Sequence, residues 1–447
     1  MFHMKDREIE SDPRLGERWM NQLHVGVIGL GFVGLPLSLS YAMKGAKVIG
    51  VDVLPRLVEE LNQGISYHQE YDEGKPLAEI LREELAKGNF RATTDYREAA
   101  NEVNHYIVTV GIPVRNGDPD LSYLISAAES LSQVLKKGDL VVLRSTVVPG
   151  TTEEIFLPIL EKSGLKAGVD FDLAYSSERI AEGRAFEEFR TMPLAVGGVT
   201  EASALRAKEF LSFVTEAEIT LSSIKIVETA KVIENVQRDV NIAMVQEFAR
   251  FAEGMGINTA ELIRVANTHK RVNLLVPGPG VGGYCLPNAY YYLQPKAAEM
   301  GLRLGLLEMA RQINDAVPGV LVTMMEEGLK KRGKGIREAK IAVLGLAMKD
   351  YSNDDRISPC HQVVSLLISK GAIVKAYDPA VPSRYPFKVD TLEEAADGAD
   401  GLFFLAMQKA FEGIRWQELL GRMSENAVLV DAKNRIPYDL KAEVIRI

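Results

Sequence analysis

The ten residues VGVIGLGFVG, positions 25–34, constrain the fold more than any other stretch of this chain. An apolar run leading into Gly29, Gly31 and Gly34, spaced G-x-G-x-x-G, marks a strand that turns tightly into a helix. The first glycine makes the turn. The second lets a pyrophosphate approach the backbone, and the third lets helix and strand pack closely. Phe32 and Val33, between the second and third glycines, are expected to contact the cofactor as well. A second strand-like run, VIGVD, ends in Asp52, twenty-three residues after Gly29. An acid there accepts hydrogen bonds from the adenosine ribose and repels a 2′-phosphate. The pattern predicts a Rossmann-type unit that binds NAD rather than NADP, with the helix N-terminus facing the phosphates.

Residues 25–43 carry no charge and are nearly long enough to span a membrane. Four glycines, Pro36 and two serines make strand, turn and helix the better reading, so no membrane partner is expected. A formal charge of −9 over 447 residues argues against non-specific nucleic-acid binding, which needs a basic face. Anionic ligands must then be met by local cations. Two cysteines, Cys285 and Cys360, and no signal peptide point to a reducing, cytoplasmic setting, although a disulfide between the two stays open. No metal is expected.

Residues 1–22 are polar and unpatterned, a tail. From 23 to 222, short apolar runs such as AKVIGVDV, HYIVTVG and DLVVLRST alternate with amphipathic stretches, as in a parallel sheet with helical crossovers. Residues 223–325 are helical text opened by one long helix. Residues 326–447 return to strands between helices. KGAKVIGVD (44–52) and KGAIVKAYD (370–378) share their first three residues, a valine and the final aspartate. The fold expected is α/β: two Rossmann-like parallel-sheet domains joined by a helical middle domain with one long connecting helix. The later sheet lacks the glycine loop, with Ala347 and Met348 in its place, so it should hold something other than a whole dinucleotide. Lys349, Arg356 and Lys433 follow strand ends there, where cations would meet phosphates. Ordinary surface charge is the plainer account of any one of them.

In the long helix Glu228, Lys231, Asn235 and Arg238 fall on one polar stripe. Such a stripe is a solvated face or, between two domains, the lining of a cleft. Cys285 follows VPGPGVGGY, whose Gly278, Gly280, Gly282 and Gly283 make a backbone that a ligand can approach closely. A thiol beside an ammonium such as Lys231 would be a competent nucleophile; a small buried filler is the alternative.

From about residue 24 to its C-terminus, the chain resembles the nucleotide-sugar dehydrogenases of the UDP-glucose/GDP-mannose dehydrogenase family, which oxidise C6 of a hexose to the uronic acid. GLGFVGLP, RSTVVPGTT, SSERIAEG, AKVIENVQRDVNIA, HKRVNLLVPGPGVGGYCLP and MKDYSNDDRISP carry the resemblance. HKRVN with PGPGVGG is most similar to the branch that acts on UDP-N-acetylhexosamines such as UDP-N-acetylmannosamine. The resemblance implies that Cys285 attacks the C6 aldehyde, giving a thiohemiacetal and then a thioester. Lys231 and Asn235 stabilise the oxyanion, and Thr146, beside the cofactor, and Glu182 position water and protons. Arg179, Ile180, Lys231, Asn235, Arg238, His269, Arg271, Gly282, Lys349 and Lys433 hold the UDP-sugar. Arg356 reaches NAD from a partner subunit, which implies a homodimer or a higher homo-oligomer.

Some positions depart from the family's pattern. Ala289 stands where the family places an aspartate that orients the hydrolytic water. Ile112 replaces a threonine, Ser177 a proline, and Glu182 an expected proline of the mannosamine branch. Two alternatives therefore stay open: a relative that binds nucleotide sugars with little turnover, and an enzyme of UDP-glucose or GDP-mannose.

Overall fold

The computed structural model describes residues 23–447; the tail expected over 1–22 lies outside the described residues. The chain divides into two compact units, and the division falls between Val232 and Ile233.

The first unit is built on eight strands: β1 (His24–Ile28), β2 (Lys47–Val51), β3 (Phe90–Thr93), β4 (His105–Val108), β5 (Leu140–Leu143), β6 (Asp172–Tyr175), β7 (Leu194–Gly198) and β8 (Ile219–Ser222). They lie in the order β8-β7-β6-β5-β4-β1-β2-β3. Every neighbouring pair is parallel except β6 and β7, which run antiparallel. The central strands read as unbroken apolar runs because both faces are covered, and Val25, Val27, Ile107, Val141 and Val142 are fully buried. The order reverses at β1, whose neighbours are β2 on one side and β4 on the other. Ligands of open α/β sheets bind at such a reversal, beyond the carboxyl ends of the strands.

The uncharged stretch after β1 is accounted for by helix α1 (Gly34–Met43), buried on all sides from Gly34 to Ala42. Its two serines are satisfied inside the helix: Ser38 Oγ donates to Gly34 O at 2.7 Å and Ser40 Oγ to Pro36 O at 2.9 Å. Among the described residues no helix is long and apolar enough to cross a membrane.

The long helix α2 (Ile224–Met255) runs from the first unit into the second. The second unit continues with α3 (Thr259–Ala266), α4 (Cys285–Glu299) and α5 (Gly305–Lys331), followed by a five-stranded parallel sheet. Its strands are β9 (Lys340–Leu344), β10 (Ile373–Tyr377), β11 (Gly401–Phe404), β12 (Val428–Asp431) and β13 (Val444–Arg446), in the order β10-β9-β11-β12-β13. α5 buries Leu321, Val322, Met325 and Leu329 against β9, β11 and β12. Gly328 permits the approach, since a Cβ there would lie 2.6 Å from Val428. α2 is tied to α5 by a buried ion pair, Asp239 with Arg311 at 2.6 Å, and by Asn314 Nδ2, which donates to Asp239 Oδ1 at 2.9 Å.

Candidate active site

Gly29 turns the chain after β1 with φ +91°, and its N–H donates to Val51 O at 2.8 Å. A Cβ on Gly34 would fall on the carbonyl oxygen of Gly29, so α1 can start this close to the strand only as glycine. At Gly31 a Cβ would meet nothing within 4 Å, leaving the outer side of the turn open. Val33, the N-cap of α1, provides no side-chain hydrogen bond. The positive end of the helix is thus left for an anion. Asp52 stands at the end of β2, its Oδ2 accepting Leu30 N–H at 2.8 Å and its Oδ1 accepting Leu54 N–H at 3.0 Å. It stays partly exposed. Phe32 is exposed, with its ring 5.0 Å from that of His68. Open backbone, helix N-terminus and held carboxylate fit NAD.

The loops after β4, β5 and β6 bring up the other residues of this unit. Ile112 is buried beyond β4. Thr146 follows β5, two residues after Arg144. After β6 come Ser177, Glu178, Arg179, Ile180 and Glu182. Glu178 and Arg144, which sequence reading passed over, form a buried ion pair. Glu178 Oε1 also accepts the N–H groups of Arg179 at 2.7 Å and Ile180 at 3.2 Å. The pair thus fastens the Thr146 loop to the loop carrying Arg179, Ile180 and Glu182. Arg179 Nη1 donates to Pro193 O at 2.9 Å. In the sequence the pair shows only as an arginine directly after one short buried strand and a glutamate three residues after another.

The polar stripe on α2 divides by burial. Glu228 is fully buried and accepts N–H groups from Gly150 at 2.6 Å and Thr152 at 2.8 Å, with the Thr152 hydroxyl as a third donor. Burial raises its carboxyl above the ordinary value, against these hydrogen bonds. Its work is therefore to anchor the segment after Thr146. Lys231 and Asn235 are buried too, whereas Arg238 is exposed.

In the second unit, the loop before α4 is pinned by Gln246 Nε2, which donates to Gly278 O at 2.9 Å. The glycine requirement here has a cause that the sequence did not reveal. A Cβ on Gly280 would lie 2.9 Å from Pro359, one on Gly282 2.8 Å from both Met348 and Pro359, and one on Gly283 2.8 Å from Met348. The loop lies against the chain that follows β9; this packing demands glycine at 282, while Gly280 and Gly283 also hold φ of +128° and +78°. His269 and Arg271 are exposed in the preceding segment, which is closed by reciprocal hydrogen bonds between Asn267 and Leu274.

Cys285 is exposed and is the first residue of the fifteen-residue helix α4. The free N–H groups of that first turn put partial positive charge beside the sulfur. Cys360 is fully buried, its Sγ donating to Ala347 O at 3.4 Å, and burial pushes its thiol up to about 12. Both cysteines are free. Arg356 grips Asp354 with Nε at 2.8 Å from Oδ1, and its guanidinium lies 5.4 Å from the ring centre of Tyr284, the neighbour of Cys285. The next residue, Ile357, holds φ +50°, a strained value for a β-branched side chain. Lys433 pairs with Asp350 at 3.0 Å, and its Nζ is 3.8 Å from where a Cβ on Gly278 would stand. Lys349 is exposed.

Residues 23–214 match the NAD-binding domain of the UDP-glucose/GDP-mannose dehydrogenase family, residues 225–316 its central domain and residues 342–437 its UDP-binding domain. The chain belongs to that family. It is 35% identical over 414 residues to the UDP-N-acetyl-D-mannosamine dehydrogenase of Pyrococcus horikoshii, covering 93% of this chain and 96% of the relative. The UDP-N-acetyl-D-glucosamine 6-dehydrogenase of Pseudomonas aeruginosa is 33% identical over 430 residues, with 94% and 97% covered. The solved structure of the UDP-D-ManNAc dehydrogenase from Pyrococcus horikoshii superposes with a TM-score of 0.87 at 34% identity, over 95% of this chain and 99% of that one.

This nucleotide-sugar dehydrogenase is an NAD-dependent oxidoreductase, in agreement with the cradle of Gly29, Gly31, Gly34 and Asp52. Among the described residues no group of histidine, cysteine and carboxylate side chains is placed to hold a metal ion.

Proposed function

We propose that this dehydrogenase oxidises C6 of a UDP-N-acetylhexosamine, UDP-N-acetylmannosamine foremost, to the uronic acid. The UDP-binding domain matched by residues 342–437 and the names of the relatives support the substrate class. One observation carries the covalent part: of two free cysteines, only Cys285 is exposed, and it heads a helix.

The first oxidation removes a hydride from C6 and the proton of its hydroxyl, leaving an aldehyde. The Cys285 thiolate then adds to the carbonyl carbon, and the oxygen gains a charge that Lys231 and Asn235 are proposed to meet. Loss of a second hydride makes the thioester. Water adds to it under the direction of Thr146 and Glu182, the C–S bond breaks, and the acid leaves with the thiolate restored. The chemistry that NAD supplies when bound is acceptance of the hydride in each oxidation. Arg179, Ile180, Arg238, His269, Arg271, Gly282, Lys349 and Lys433 are proposed to hold the nucleotide sugar, and Arg356 to reach NAD.

Residues 23–222, 223–325 and 326–447 are the proposed domains, and a homodimer is the proposed assembly. In support of the dimer, Met244, Phe248, Phe251 and Met255 fall on one exposed face of α2 at spacings of four, three and four.

Ala289 favours slow release of the acid. It is fully buried and offers neither base nor hydrogen bond where the family has an aspartate. The test is NADH formation with a panel of nucleotide sugars, followed from the first turnover. The expected outcome is a burst, then a steady rate with UDP-N-acetylmannosamine at least about tenfold above that with UDP-glucose or GDP-mannose. A higher rate with either of the latter overturns the substrate. Brisk turnover without a burst removes the role given to Ala289.

A further inference from the structure

Two loops and a helix of the first unit are joined by one short segment, residues 64–72, that stands apart from all the motifs above. Within it Glu70 is 2% exposed. Its Oε1 accepts Gly183 N–H at 2.6 Å and its Oε2 accepts Ala185 N–H at 2.9 Å. Gly183, with φ +90°, ends the loop that carries Arg179, Ile180 and Glu182, and Ala185 opens the helix Ala185–Thr191. Asp72 holds the same helix through Arg190 at 2.7 Å. The loop is thus fastened at its entrance by Glu178 and at its exit by Glu70. At the other end of the segment, His68 Nδ1 lies 2.9 Å from Ser66 Oγ, and its ring lies against Phe32 of the glycine turn.

We propose that Glu70 is a positioning residue for the nucleotide-sugar loop and that segment 64–72 links this loop to the cofactor turn. The proposal rests on the assignment of Arg179, Ile180 and Glu182 to the nucleotide sugar. Both of its oxygens face backbone donors, so its carboxylate holds the loop. The site therefore demands two acceptors, which only a carboxylate supplies at this length. Glutamine turns one acceptor into a donor aimed at an N–H, and aspartate is one methylene too short to reach both. The contact between His68 and Phe32 gives NAD binding a route to the same loop: whatever fixes Phe32 restricts His68 and with it the backbone leading to Glu70.

The experiment combines hydrogen exchange with steady-state kinetics on the full chain, native and with Glu70→Gln, Glu70→Asp or His68→Ala. In the absence of ligands, Glu70→Gln speeds exchange at the Gly183 and Ala185 amides by about tenfold or more. It raises KM for the nucleotide sugar by about tenfold and leaves KM for NAD within about twofold. Glu70→Asp behaves in the same way, which guards against a glutamine variant that fails to fold. NAD alone slows exchange across residues 179–185 of the native protein, and His68→Ala removes that protection. Unchanged exchange in Glu70→Gln, or a parallel rise in both KM values, overturns the positioning role. Protection by NAD that survives His68→Ala overturns the link. If the native enzyme oxidises no nucleotide sugar, the proposed function fails, while the exchange measurements still decide what Glu70 and His68 do.

Discussion

Asp378 accepts the backbone N–H of Leu346 at 2.8 Å, the distance at which Asp52 accepts that of Leu30. The likeness extends through both turns. Gly29 and Gly345 each have φ +91°, and they donate to Val51 O at 2.8 Å and Tyr377 O at 3.0 Å. Leu54 and Ala380, two residues past each aspartate, both donate to its Oδ1 at 3.0 Å. The faint repeat between residues 44–52 and 370–378 is thus one turn used twice. The uses differ in exposure. Asp378 is fully buried, with Ala347 N–H and Gln408 Nε2 as further donors, whereas Asp52 keeps an open side. The second sheet has spent its carboxylate on its own backbone.

Charge at Asp52 sets the choice of cofactor. The native enzyme is expected to bind NAD about a hundredfold or more tighter than NADP, since a 2′-phosphate beside the carboxylate costs several kcal/mol. Asp52→Asn keeps an oxygen for Leu30 N–H but carries no charge, so the preference should shrink to within about tenfold. Asp378→Asn should leave it unchanged. Calorimetric titration with both cofactors checks this, and an undiminished preference in Asp52→Asn would place the discrimination elsewhere.

The two thiols should react very differently. Iodoacetamide at pH 8 should label Cys285 and spare Cys360, whose thiol is buried and pushed up to about 12. Labelling should stop uronic acid formation in step with modification, read by mass spectrometry. Cys285→Ser should lower release of the acid by about a hundredfold or more, because a serine hydroxyl is a weak nucleophile without an adjacent base. Cys360→Ala should lower stability by about 1 kcal/mol and leave turnover alone. Undiminished acid release from Cys285→Ser would make that cysteine a mere part of its turn.

What could be read from the sequence is what depends on neighbours along the chain. The turn of Gly29, Gly31 and Gly34 and the buried strands are local patterns, and Asp52 sits at a fixed step from them. The stripe on α2 was found by its period, but period does not say which face is buried. Glu228 proved to be a cap for Gly150 and Thr152, more than seventy residues away. Gly282 was legible as a glycine that must be there, yet the cause is Met348 and Pro359, brought against it by the fold. Glu70 was invisible because its partners are backbone N–H groups 113 and 115 residues further on. A backbone donor carries no sequence code.

Two buried groups at adjoining strands should give opposite responses to acid. His105 opens β4, stacked on Phe210 at 4.9 Å, and burial pushes it down to about 4, with Arg206 acting in the same direction. A lowered histidine contributes stability that is present above its ordinary value of 6.5 and is lost as pH falls through 4. Asp139 immediately precedes β5, and burial pushes it up from 3.8 to about 6, although Lys136 N–H and Arg206 oppose the shift. A raised carboxyl contributes stability that is present below 3.8 and is lost as pH rises through 6. Each amounts to about 3 kcal/mol at about 1.4 kcal/mol per pH unit, so between pH 4 and 6 the two nearly cancel in the native protein. His105→Phe keeps the stacking and leaves Asp139 unopposed, so stability should rise on acidification across that window. Asp139→Asn should reverse the trend. Urea titrations of the full chain at half-unit pH steps check both, and parallel curves for native protein and both variants would show that neither group titrates as its burial implies.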